Sequence, residues 1–308
     1  MDWQLHSGRH RGEGRRCFSA FWRLAGLLLA LTLAAAFPSV AAALVLERPP
    51  YLQLGTQTSM VVRWRTDIPS ESRLRYGPAP EQLDALIDIP GTRTEHEIEI
   101  TGLTPDTVYY YAVGTPTQNL EGGDADHFFR TSPPTNTGQR FRIWVVGDSG
   151  TANGSAAAVR DAYLGFAGAD RAAVWVMLGD NAYSNGTDAE YTAAVFQMYP
   201  QILRNTVLWP SPGNHDFRTS VAATQSGPYF ETFTLPKEGE AGGAPSGTEA
   251  YYSFDYGNVH FIAIDSDGTP RDAGAPMYSW LELDLQGNDK DFVIAYWHHP
   301  PYSKGSHD

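Results

Sequence analysis

Short apolar runs that stop at polar clusters, three of the four glycine-containing, constrain this chain more than any other feature. Ile143-Trp-Val-Val146 stops at Gly147-Asp148-Ser149-Gly150, and Ala173-Val-Trp-Val-Met-Leu178 stops at Gly179-Asp180-Asn181-Ala182-Tyr183. A proline-bounded segment ends at Gly213-Asn214-His215-Asp216, and Phe292-Val-Ile-Ala-Tyr-Trp297 ends at His298-His299-Pro300. A further apolar run covers Val259–Ile264, and Ser155–Ala167 has helical potential. Continuous apolar runs separated by helices predict buried strands of an α/β domain, here residues 139–308. Polar residues placed just after such strands gather at their C-terminal ends, where open α/β sheets carry their sites.

Residues 44–132 follow a different rule. Ser59–Arg65, Ser72–Tyr76 and Glu95–Ile100 alternate with period two, and the second of these stops at the turn pair Gly77-Pro78. Leu103-Thr-Pro-Asp-Thr-Val-Tyr-Tyr-Tyr-Ala-Val113 and a strand near His127–Thr131 complete an all-β sandwich. This module resembles a fibronectin type III domain, in which Tyr109 would be the corner tyrosine after the Leu-x-Pro turn. Residues 133–138 form a Pro/Gly-rich linker. Residues 219–250, rich in Gly, Ser, Pro and Ala, predict a long surface excursion bordering the site.

The first 43 residues read as an export signal. Arg9, Arg11, Arg15, Arg16 and Arg23 precede an apolar run from Leu24 to Phe37 and the small residues Ala41-Ala42-Ala43. Arg15-Arg16-Cys17-Phe18 resembles the twin-arginine export pattern. The expected location is periplasmic or extracellular, with no stable membrane insertion after cleavage. Cleavage removes Cys17, the only cysteine. Metal ligands must then come from Asp, Asn, His, Tyr and Glu. The net charge is −13 for the whole chain and −16 without residues 1–43. That balance argues against a nucleic-acid partner, and a phosphate-bearing ligand would need metal ions to reverse the local sign.

The four clusters supply a carboxylate able to bridge, further oxygen donors, imidazoles, and glycines that let an anion approach the backbone. Two metal ions held by such donors both activate water and neutralise phosphoryl oxygens.

In order and spacing, the clusters resemble the metallophosphoesterase superfamily and, within it, the purple acid phosphatases. The resemblance covers nearly everything after the export segment, including Glu249–Phe261, where those enzymes run a hairpin. It implies a β-sheet sandwich flanked by helices, and hydrolysis of small phosphate monoesters by a metal-bound hydroxide at a dinuclear centre. Asp148 would bind the first metal, Asp180 would bridge both, and Tyr183 would bind the first through its phenolate. Asn214 and His298 would bind the second. His215 would contact the phosphate and help protonate the leaving group, with Asp216 orienting its ring. His307 would be a further acid facing the substrate, and His299 would support the site or face the substrate. His260, inside an apolar run, reads as a satisfied core histidine. Most of the superfamily carries Asp-x-His in the first motif, whereas Gly150 stands third here. With Tyr183, that substitution favours Fe(III) at the first position, beside Fe(II), Zn or Mn at the second.

The family pattern also includes a final Gly-His-x-His, one histidine per metal, which these 308 residues lack. The sequence therefore predicts a C-terminally truncated domain with little activity of its own. Two other readings stay open. One is phosphodiester or nucleotide hydrolysis on the same ligands. The other is an exported binding module with a degenerate phosphoesterase domain. Oligomeric state is not indicated.

Overall fold

A computed structural model describes residues 43–305. Residues 1–42, on which the expected export signal falls, and His307 lie outside the described residues. The N-terminal β-region contains β1 (Leu46–Gln53), β2 (Met60–Gly77), β3 (Ala85–Ile100), β4 (Val108–Thr115), β5 (Gln118–Gly122) and β6 (Phe128–Arg130). All its pairings are antiparallel. The alternating runs Ser59–Arg65 and Ser72–Tyr76 belong to one strand, β2, whose ladder with β3 is interrupted between Arg65 and Ser70. The first half of β2 pairs with β1 (Val61 opposite Gln53) and the second half with β4 (Leu74 opposite Val113). A ladder irregularity lets one strand bend and change neighbours. Trp64, Leu74, Tyr111 and Phe129 fill the interior. Tyr109 Oη accepts the Thr104 backbone N–H at 3.0 Å, closing the turn at Leu103-Thr-Pro.

The rest of the chain holds β7 (Ile143–Val146), β8 (Val174–Leu178), β9 (Val207–Ser211), β10 (Tyr252–Tyr256), β11 (Val259–Ala263) and β12 (Phe292–Tyr296). Its helices are α1 (Gly154–Ala167), α2 (Asp188–Tyr191), α3 (Pro200–Leu203), α4 (Pro228–Thr232) and α5 (Pro276–Gly287). Strands β7, β8 and β9 are parallel neighbours in that order; β10 and β11 are antiparallel, and β11 and β12 parallel. The two sheets meet through an aromatic stack. Trp209 of β9 lies on Phe254 of β10 (ring centroids 3.8 Å apart), which lies on Phe261 of β11 (4.6 Å). Helix α1 starts at Asn153, whose side chain accepts the N–H groups of Ser155 and Ala156.

Two expectations are corrected. Residues 219–250 are not a surface excursion: Tyr229, Phe230, Phe233 and Leu235 are buried, and Tyr229 Oη donates to the Pro210 carbonyl (3.1 Å). The aromatic residues of the segment outweigh its Gly and Ser content. Strands β12 and β7 are not buried as runs: Phe292, Val293 and Ile294 are 60%, 45% and 37% exposed, Val145 is 53% exposed with its β7 neighbours half-buried, and among the described residues only β11 pairs with β12 and only β8 with β7.

A buried polar seam fixes the β-region to the α/β region. Arg48, fully buried, donates to Thr192 Oγ1 (3.0 Å) and to Asp188 Oδ1 (2.5 Å) and the Asp188 carbonyl (3.2 Å). Gln53 donates to the Leu208 carbonyl (3.1 Å), and Tyr51 Oη to the Thr232 carbonyl (2.8 Å). The segment after β6 is tied at both ends, by Ser132 N–H to Thr56 (3.0 Å) and Asn136 N–H to Gly257 (3.2 Å).

Candidate metal centre

Because β7, β8 and β9 are parallel, the loops that follow them leave the sheet on one edge and lace together. Asp148 N–H donates to the Gly179 carbonyl (3.3 Å), Gly150 N–H to Asp180 (3.2 Å) and Tyr183 N–H to Gly150 (2.9 Å). Asp148 and Asp180 both adopt left-handed backbone, φ +52° and +53°. Such a conformation costs a non-glycine residue on the order of 1 kcal/mol or more and persists only where the surroundings impose it. Here the lacing imposes it and turns both carboxylates to the same side.

Oxygen atoms of Asp148 and Asp180 and a ring nitrogen of His298 all lie within 4.8 Å of one another. Tyr183 Oη donates to Asp148 Oδ1 at 2.7 Å. His298 Nδ1 donates to the Leu178 carbonyl at 2.9 Å, which leaves the lone pair of the neutral ring on Nε2. That atom faces Asn214 Oδ1 at 3.2 Å and Asp180 Oδ1 at 3.4 Å. Three lone-pair-bearing atoms thus point at one another. Among the described residues no lysine or arginine pairs with Asp148 or Asp180. Burial, then the Asp148 and Asp180 carboxylates, push the Tyr183 phenol well above its usual range. Hard oxygen donors and one imidazole, without a balancing side-chain cation, fit a metal ion. Asp148, Asp180, Tyr183, Asn214 and His298 are therefore brought together.

His215 stands at the rim. Its backbone N–H donates to Asp180 Oδ1 (3.0 Å), its ring Nδ1 to the Ser184 carbonyl (2.6 Å), and its Nε2 lies 3.9 Å from Asp180 Oδ2. The expectation that Asp216 orients this ring is corrected, since Ser184 does so. Asp216 is fully buried and accepts from Gly213 N–H (2.8 Å), Asn181 N–H (3.2 Å), Asn181 Nδ2 (3.0 Å) and the Tyr191 hydroxyl. Burial pushes its carboxyl up to about 6, against the pull of those donors. It braces the two loops from beneath. His299 is held by Ser266, whose Oγ is 3.0 Å from Nδ1 and accepts the His299 N–H at 3.1 Å. His260 is a buried core residue between Asp255 (2.8 Å) and Asp284 (2.7 Å).

Sequence reasoning passed over the clasp on the Tyr183 loop. The Glu190 carboxylate accepts the N–H groups of Ser184 (2.6 Å), Asn185 (3.0 Å) and Thr187 (2.9 Å). Its signal was present as Thr187-x-x-Glu190, a capping box at the start of α2.

Residues 141–308 match the model of the calcineurin-like phosphoesterase family, and residues 48–136 match that of the purple acid phosphatase N-terminal domain. The chain belongs to the calcineurin-like phosphoesterase family. Purple acid phosphatase 15 of Arabidopsis thaliana is 28% identical over 234 residues, covering 68% of this chain and 42% of that protein. Acid phosphatase type 7 of Mus musculus is 25% identical over 274 residues, covering 81% and 57%. Arabidopsis thaliana also supplies a relative named probable inactive purple acid phosphatase 9, 26% identical over 289 residues, covering 76% and 43%. The chain thus spans about half the length of the curated relatives it matches. A solved structure titled as that of PhoD shares the fold, with a TM-score of 0.55 at 13% identity, over 80% of this chain and 61% of that one.

Proposed function

We propose that the protein is a metal-dependent phosphatase of the purple acid type that hydrolyses small phosphate monoesters. The observation that carries this is the convergence of Asp148, Asp180 and His298 on one small volume, with Tyr183 on Asp148 and Asn214 on His298. Asp148 and Tyr183 would hold the first ion, Asp180 both, and Asn214 and His298 the second. Phenolate beside carboxylate suits Fe(III), while amide and imidazole suit Fe(II), Zn or Mn. When bound, the ions supply an activated water and charge neutralisation at the phosphoryl oxygens.

The chain's own residues then have separate tasks. Leu178 fixes the His298 tautomer, Asp180 holds the His215 backbone, and Ser184 aims the His215 ring across the centre. His215 Nε2, with Arg218 Nη2 3.4 Å away, stands at the rim where a phosphoryl or leaving-group oxygen would come. The Tyr109–Thr104 closure supports reading the β-region as fibronectin type III-like. Export through residues 1–43 is part of the same proposal, and no helix among the described residues is long and apolar enough to cross a membrane.

The test is phosphate release from an aryl phosphate by the gene product, compared with Asp180→Asn. Loss of both metal and turnover in the variant is the expected outcome. Wild-type protein that holds metal yet hydrolyses no monoester would overturn the proposal, leaving diester substrates or a degenerate binding domain. A visible absorption band lost in Tyr183→Phe checks the ferric assignment.

A further inference from the structure

One guanidinium reaches the rim of this centre. Arg218 Nη1 donates to the Ser184 carbonyl at 3.0 Å, and Nη2 lies 3.4 Å from His215 Nε2. The same carbonyl receives His215 Nδ1, so one backbone oxygen fixes both side chains. Arg218 ends the short turn Asp216–Arg218, whose other two residues are anchored. Asp216 is buried beneath the loops, and Phe217 packs against Tyr229 and Phe230. The third residue is thereby turned outward over His215, where it is exposed.

We infer that Arg218 binds substrate, donating to a non-bridging phosphoryl oxygen beside His215. Nη2 carries two N–H groups: one is directed to His215 Nε2 at 3.4 Å, the lone-pair nitrogen of a ring whose Nδ1–H is held by Ser184, and the other can donate to an anionic oxygen about 2.8 Å away. A third contact, Asn185 Oδ1 at 3.5 Å, lies on the same loop as Ser184, so all three partners hold the guanidinium at the rim of the centre. Among the described residues Arg218 is the arginine or lysine hydrogen-bonded to a residue of the candidate centre. In a chain with net charge −13 that cation also offsets the repulsion an incoming phosphate dianion meets. The inference rests on the phosphatase reading and adds to it the residue that sets affinity for the phosphoryl group.

The probe is inorganic phosphate, measured both as a competitive inhibitor and by direct titration of the metal-loaded gene product. Arg218→Gln should weaken phosphate about tenfold and raise KM for an aryl phosphate by a similar factor, the size of one charge-assisted hydrogen bond. Arg218→Lys, which keeps the charge without the fork, should recover part of the loss. If the glutamine variant does not fold, the lysine variant decides alone, with weaker phosphate binding expected. A lower kcat with unchanged phosphate affinity and KM would overturn the inference, since Arg218 would then only steady Ser184 and His215. Failure of the phosphatase reading looks different: the wild-type protein itself would not turn over. Direct phosphate titration would still show whether Arg218 contributes.

Discussion

His298 is seated on Gly179. A Cβ at Gly179 would lie 2.6 Å from His298 Cβ and 2.7 Å from Cγ, and the backbone there has φ +80°. The glycine that ends β8 is thus the floor on which the imidazole rests, while Leu178 just before it fixes the ring's tautomer.

Gly179→Ala should therefore act as a metal-site variant rather than a folding variant. Shifting a ligand's support costs about 10–100-fold in metal affinity or activity. Metal content and kcat should fall together, while the far-ultraviolet circular dichroism spectrum stays unchanged. Wild-type metal content and kcat in this variant would show that the seat does not matter.

Arg48 gives a prediction about stability alone. Its guanidinium is buried between the two regions and bonded to Thr192 and Asp188, far in sequence from both. Arg48→Met keeps much of the volume but strands those partners. Breaking a buried charged network of this kind costs about 3 kcal/mol. Urea unfolding followed by tryptophan fluorescence should show it as a lower midpoint; a loss under about 1 kcal/mol would mean that Arg65, also bonded to Asp188 (2.5 Å), carries the seam.

These cases show what the sequence revealed and what it hid. Asp148, Asp180, Tyr183, Asn214 and His298 were legible because each lies in a polar cluster after a short core segment; the parallel strands β7, β8 and β9 bring the first four to one edge, and His298 reaches them from the end of β12 in the second sheet. Asp216 was misread because adjacency to His215 suggested pairing, whereas burial sent its carboxylate to Asn181 and Gly213. Arg48 and Arg218 were missed for a related reason: Arg48 reaches Asp188, Thr192 and Thr232, 140 to 184 residues away, and Arg218, though three residues from His215, is anchored on the Ser184 backbone carbonyl 34 residues away, which no local pattern displays. The two alternating runs of β2 were legible as strand but not as one strand, since period-two patterning does not report a bend.

His260 makes a prediction about pH. Burial alone would lower its pKa; the Asp255 and Asp284 carboxylates reverse that and lift it to about 9. Lys290 Nζ also faces Asp255, at 3.2 Å, and Ser253 Oγ donates to Asp284 (2.7 Å). A folded pKa above the unfolded value of 6.5 gives stability that is fully present below pH 6.5 and lost as pH rises through about 9. The shift corresponds to roughly 3 kcal/mol at most. Thermal melts from pH 6 to 10 should show a decline that His260→Gln largely abolishes, at the cost of lower stability near neutrality. A parallel decline in both proteins would assign it to other groups.

Gly150 supplies the sharpest test of how the centre is built. The Asp-x-His pattern expected of most of the superfamily puts an imidazole at this third position, so Gly150→His tests whether a ligand can be restored. The geometry predicts the reverse. A Cβ at Gly150 would lie 2.5 Å from Ala182 N and 2.6 Å from the Asn181 carbonyl carbon, both backbone atoms. That backbone cannot retreat freely, because Asn181 N–H is bonded to Asp216 (3.2 Å) and Tyr183 N–H to the Gly150 carbonyl (2.9 Å). The collision arises at Cβ, before any ring is reached. Gly150→Ala and Gly150→His should therefore lose kcat alike, by roughly tenfold or more, with lower metal content as the Tyr183 loop shifts. Activity in the histidine variant well above that of the alanine variant would mean that the loop yields and the imidazole ligates, and the tight lacing of the β7 and β8 loops would not be what selects tyrosine over histidine here.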